Sequence, residues 1–174
     1  HEGYCTDDNA RALILTVLLE ELGTDSQELH SLASTYAAFL NYAFNEETGR
    51  FRNFLGFDRR WLEEDGSDDS QGRAVWALGT CVGRSRRRGF RAWAMELFPK
   101  ALSACEETTS PRTWALALLG VHEYLRRMSG DRVVNQTGER LAEKLVDLYD
   151  QVATDDWPWF EDIVAYNNAK LSHA

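Results

Sequence analysis

The chain has 174 residues, 44% hydrophobic and 27% charged, with a formal net charge of -9. That length and composition suit one globular domain over 1–174, with a core of useful size. A polyanion such as nucleic acid would be repelled, and no apolar run reaches the ~20 residues that cross a bilayer, so neither nucleic acid nor membrane is an expected partner.

The first helix is predicted from about Asp8 to Leu22. Leu13, Ile14, Leu15, Val17, Leu18 and Leu19 cover nearly every face, the pattern of a helix buried all round, and Gly23 ends it where a left-handed C-cap is wanted. The second runs from near Ser26 to about Phe44. Leu29, Leu32, Ala33, Tyr36, Leu40 and Ala43 recur at helical spacing with polar residues between them, leaving one wet face. An extended excursion follows. Glu47-Thr48-Gly49 is a turn, Phe51 to Leu55 alternates as a short strand, and Gly56 turns it towards a second strand over Arg59 to Leu62, giving a short β-hairpin between the second and third helices.

The third helix starts near Asp69 and is apolar on most faces through Ala74, Trp76, Ala77 and Leu78. The fourth, about Phe90 to Ala104, contains Pro99, which should kink or split it. The fifth has Ser110 as N-cap and Pro111 at its first position. Trp114, Leu116, Leu118 and Leu119 surround its axis. The sixth, about Gly138 to Val152, is amphipathic through Leu141, Leu145, Leu148 and Tyr149. "TDDWPWFED" then leads towards a seventh helix.

A repeat links these elements. "DDNARAL" at Asp7 echoes "DDSQGRAV" at Asp68, and "SPRTWAL" at Ser110 is a looser echo. Each polar signature opens a buried helix, and an amphipathic helix follows. The fold class is therefore all-α, with two concentric layers in an α/α toroid. Every inner helix starts at one end, so the polar signatures collect around one mouth.

Each signature has two readings. One Asp could cap its helix and suit the positive end of the helix dipole, with Arg11 and Arg73 paired to the acids as structural cement. Alternatively, Asp7, Asp8, Asn9 and Arg11 with Asp68, Asp69, Gln71 and Arg73 form a polar ring for sugar hydroxyls or acid–base chemistry. Glu63, near Trp61, is either an exposed loop acid or, if the excursion covers the mouth, a carboxylate facing Asp8 or Asp69. Carboxyls about 5 to 10 Å apart fit glycosidic cleavage. Trp157, Trp159, Phe160 and Glu161 are either an aromatic plug or a platform for stacking, with Asn167, Asn168 and His173 extending its polar edge.

The remaining features are plain. His30 and His122 are isolated helix residues, and Arg84, Arg86, Arg87, Arg88 and Arg91 form a solvated interhelix turn. No P-loop, dinucleotide fingerprint or HExxH occurs. Cys5, Cys81 and Cys105 have neither metal spacing nor a disulfide pattern. No metal or cofactor is called for, and a reducing, cytoplasmic setting is the default.

"GYCTDDNARAL", "DSQGRAVWALG", "SPRTWALALLG" and "WPWFED" with "YNNAKLSHA" resemble the six-hairpin, glycosidase-like (α/α)6 toroid domains associated with bacterial glycosyltransferases and mannoside-processing proteins. The resemblance implies a carbohydrate-sized cleft at the mouth, an oligosaccharide ligand and a glycosyltransferase module as partner. On that reading Asp8, Asp69 and Glu63 are the candidate acid and base, Asn9, Arg11 and Arg73 orient them, and Trp76, Trp157 and Trp159 stack. Tyr4, Asp7, Trp61, Asp68, Gln71, Arg112, Glu161, Asn167, Asn168 and His173 complete the substrate contacts. Non-catalytic glycan binding and a purely scaffolding helical repeat are the competing functions. The chain corresponds to about three hairpins of such a toroid, a piece of a longer domain. Its open ends would expose apolar helix faces, which predicts a homodimer.

Overall fold

The computed structural model describes residues 3–174. Strand β1 (Gly3–Cys5) leads into α1 (Thr6–Glu21) and α2 (Gln27–Ala43). Short strands β2 (Phe44–Asn45), β3 (Arg50–Phe51) and β4 (Phe54–Gly56) precede α3 (Asp68–Arg84). Then come α4 (Arg88–Glu106), α5 (Pro111–Leu125) and α6 (Arg132–Val152).

Contacts between like ends make α1, α3 and α5 parallel. At their N-terminal ends Arg73 of α3 pairs with Asp7 of α1, and Gly72 lies against Thr113 of α5. At their C-terminal ends Arg84 of α3 pairs with Glu21 of α1 at 2.9 Å and with Glu123 of α5 at 2.6 Å. The amphipathic helices α2, α4 and α6 return behind this row, giving two layers of helical hairpins. Every α3 residue from Ser70 to Val82 except Trp76 is buried. The first helix is less enclosed than its sequence implies. It packs mainly on α2 and α3, which leaves Leu15 57% and Leu22 82% exposed.

The core is filled by Leu13, Leu40, Phe51, Leu78, Phe98 and Leu102. Phe98 stacks on Tyr124 with centroids 4.5 Å apart, and Tyr124 donates to Asp131, the N-cap of α6. Burial, then the bond to Asp131, pushes the Tyr124 phenol up to about 12. All three cysteines are free. Burial pushes the Cys81 and Cys105 thiols up to about 12, the mark of inert core thiols.

Three elements differ from expectation. The alternating segment 51–55 divides: β3 pairs with β2, and β4 pairs with β1. A short β-hairpin does stand between α2 and α3, but it is β2 with β3; the pairing expected of 51–55 with 59–62 is reduced to a bridge between Leu55 and Trp61, because the better partner for β4 lies far away in sequence. Helix α4 runs unbroken through Pro99. The segment after α6 forms no seventh α-helix; its only helical turn among the described residues is the 3-10 turn Asn168–Lys170. Buried Leu171 anchors that segment beside Ala115 and Leu145. Among the described residues, no helix is long and apolar enough to cross a membrane.

Candidate functional site

The acids at the mouth are not caps. The N-cap of α1 is Cys5, which makes no side-chain cap bond. The N-cap of α3 is Ser67, whose hydroxyl accepts from the Ser70 amide. Asp7, Asp8, Asp68 and Asp69 therefore sit inside the first turns, where the dipole favours them and their oxygens can meet arginines. Asp7 pairs with both Arg11 and Arg73, and Asp69 holds Arg73 at 3.0 Å. The Arg73 side chain is only 10% exposed, so this bridge ties α1 to α3 at the rim of the core. The Asp7 bond keeps the Arg11 guanidinium above its usual value.

The other residues of these signatures serve local structure. Asp68 accepts from Arg50 at 2.7 Å. Asn9 donates to the Cys5 carbonyl. Asp8 is 75% exposed and stands 3.7 Å from Arg11. Gln71 is fully buried: it accepts from the Phe51 amide and donates to the Gly49 and Ala101 carbonyls. Its placement among substrate contacts is corrected, because three backbone groups consume its amide. Glu63 folds back on its own loop and accepts from the Asn53 and Phe54 amides at 2.7 and 2.5 Å.

The C-terminal segment fastens to the start of α5 through Arg112. This buried guanidinium donates to Glu161 at 2.7 Å, the Tyr166 carbonyl at 2.7 Å and Asn168 at 3.2 Å. It also lies over the Tyr166 ring. Partial burial, and then the nearby Asp69 carboxylate, raises the Tyr166 phenol above its ordinary value. Asp69 thus links the Asp7–Arg73 bridge to the Arg112 knot. Thr113 Oγ1, Glu161 Oε2, Trp159 Nε1 and Asn167 Nδ2 are buried there without a hydrogen-bond partner among the described residues.

The aromatic residues divide. Trp159 packs on Phe160 and joins Ala115, Leu145 and Leu171 in a small core, so its ring is a plug rather than a platform. Trp157, 38% exposed, donates its indole N–H to the Glu161 carbonyl. Tyr4 and Trp61 stand elsewhere, in an aromatic group with Phe39, Tyr42 and Phe57. Trp76 points to another place again. It lines a cavity of about 430 Å³ with Thr80 and Arg84 of α3, His122 and Glu123 of α5, and His173, over an apolar wall from Ile14 and Leu18 of α1. The hollow lies along the inner faces of the parallel helices, further towards their C-terminal ends than the mouth.

Sequence reasoning missed Tyr166, Thr113, Thr80, Glu123 and the role of His122. Helical spacing offered a signal for some: Trp76, Thr80 and Arg84 recur every four residues on α3, which places them on one face. The arginines around the α3–α4 turn are not simply solvated either. Arg84 is paired as above, Arg87 stands 3.4 Å from Glu20, and Arg91 donates to the Ser85 and Arg86 carbonyls.

Chemically, the mouth offers paired carboxylates rather than free ones. Asp7, Asp68 and Asp69 have guanidinium partners and Glu63 is taken by backbone amides, which leaves Asp8, exposed and 3.7 Å from Arg11, as the one loosely held candidate acid. Among the described residues, no group of three or more His, Cys, Asp and Glu side chains could hold a metal ion. The chain matches no protein-family model, no curated protein and no solved structure.

Proposed function

We propose that this chain is a carbohydrate-binding domain of the α/α toroid type, which holds a short glycan for a glycosyltransferase instead of cleaving it. The observation that carries the reading is the inner-face cavity. An indole beside a hydroxyl and two imidazoles matches the apolar face and polar edge of a sugar ring. A hollow of about 430 Å³ falls within the range of small-ligand sites, about 300–1,000 Å³. Binding without cleavage is favoured because glycosidic chemistry needs two available carboxyls, one to give a proton and one to attack or to activate water, and of the candidate acids only Asp8 is loosely held.

Calorimetric titration with a panel of oligosaccharides tests this. At least one should bind, and Trp76→Ala should weaken it about tenfold, the size of one lost aromatic contact. His122→Ala, at an exposed position, should weaken binding with little change in melting temperature. A panel with no binder, or affinity indifferent to both substitutions, rejects the proposal.

We also infer a homodimer formed through the open edge of the helix row. Leu15, Leu22 and Leu32 are 57%, 82% and 48% exposed on α1, its C-terminal end and α2, and an apolar edge of this kind drives association. Light scattering at micromolar concentration should give twice the 19.8 kDa chain mass. A mass of 19.8 kDa at every concentration contradicts this.

A further inference from the structure

The polar groups that line the inner-face cavity are not equally available. Arg84 donates from Nε and Nη2 to both Glu123 oxygens at 2.6 and 2.7 Å, and from Nη1 to Glu21 at 2.9 Å. Arg126 stands 3.6 Å from the same Glu123 carboxylate. Thr80 donates its hydroxyl to the Trp76 carbonyl at 2.8 Å. These groups have satisfied one another, and the only carboxylate on the wall is neutralised twice. The unclaimed groups are of one kind. The His122 and His173 imidazoles make no hydrogen bond or ion pair among the described residues. The Lys170 ammonium lies over the Trp76 ring, 4.4 Å from its centroid, with no carboxylate partner among the described residues. A chain of net charge -9 thus gathers nitrogen donors, one of them a fixed cation, around a hollow with no free acid.

We propose that the ligand of this cavity is an anionic saccharide, bearing a phosphate or a carboxylate. Its ring lies on Trp76 and its anionic group faces Lys170, His122 and His173. A neutral sugar would leave the ammonium without a counter-charge, whereas an anion in this partly enclosed site gains more than it would in open water. The local field also works against the overall charge of the molecule, which gives selectivity for where the anion lands. This inference rests on the saccharide reading above and narrows it.

The test is calorimetric titration of the full chain with glucose, glucose 6-phosphate, glucuronate and inorganic phosphate, each at low and high sodium chloride. At least one charged sugar should bind ten times or more tighter than glucose at low salt. The advantage should shrink as salt screens it. A Lys170→Gln/His173→Gln double variant, checked by its melting temperature, should abolish the preference for the charged sugar over glucose. Glucose 6-phosphate and glucuronate together show whether phosphate or carboxylate is preferred. Equal affinity for glucose and both charged sugars overturns this inference and leaves the saccharide reading standing. A preference that survives in the double variant also overturns it. Inorganic phosphate binding as tightly as glucose 6-phosphate shows that the ring contributes nothing, and both readings fail. Both also fail if no sugar binds.

Discussion

Replacing Gly79 with Ala should destabilise the protein by about 2–3 kcal/mol, the cost of forcing an extra methyl into a packed core. A methyl carbon at Gly79 would lie 2.1 Å from the Gly120 carbonyl oxygen of α5. The same crowding recurs at Gly83, where the Glu123 carbonyl would be met at 2.1 Å. Helices α3 and α5 therefore touch backbone to backbone, and neither atom belongs to a side chain that can rotate away. The sign of the effect is the informative part. In an uncrowded helix, Gly to Ala stabilises by up to about 1 kcal/mol. Gly89 of α4 has nothing within 4 Å of the added carbon, so Gly89→Ala is the control and should raise stability slightly. Chemical denaturation of both variants checks the pair. A stabilised Gly79→Ala protein would mean that α3 and α5 do not pack as described, and the inner-face cavity between α1, α3 and α5 would go with them.

Arg73→Leu should cost about 3–5 kcal/mol, the usual penalty for breaking a buried ion pair on one side. The side chains of Arg73, Asp7 and Asp69 are 10%, 16% and 21% exposed. Without the guanidinium, two adjacent carboxylates remain largely out of water, and only Asp7 keeps another arginine. Arg73→Lys should not restore the loss, since one ammonium cannot present the planar fork that spans two acids. Asp69→Asn in the Arg73→Leu background should recover part of it, giving a clearly non-additive cycle by thermal or urea unfolding. A cost below about 1 kcal/mol, typical of an exposed pair, would mean that the mouth is solvated and not a structural bridge.

Much of the helical frame was legible because its signals are local. The spacing of Leu29, Ala33 and Leu40, the cap at Ser110 and Pro111, and the repeated polar signatures lie within single elements. What escaped depends on partners distant in sequence. Alternation marked 51–55 as extended, but nothing local says that Leu55 pairs with Tyr4. A pair of acids before an apolar run resembles a cap, yet the chain enters α1 from a strand through Cys5, so the acids turn to Arg73, 66 and 4 residues away for Asp7 and Asp69. Gln71 looks like a polar contact in a signature; only the fold brings three backbone groups to its amide. The site divides in the same way. Asp7, Asp69 and Arg73, which the repeated signatures single out, meet at one end of the helix row. The cavity around Trp76 needed the crossing of α3 and α5, which glycine spacing alone does not reveal.

The most direct test of the account is backbone-amide NMR mapping of the full chain during titration with a binding oligosaccharide. Shifts should concentrate at Trp76, Thr80, His122 and His173, with the Trp76 indole N–H moving as well. Shifts confined to the outer helices α2, α4 and α6, or to the aromatic group around Tyr4 and Trp61, would contradict an inner-face glycan site.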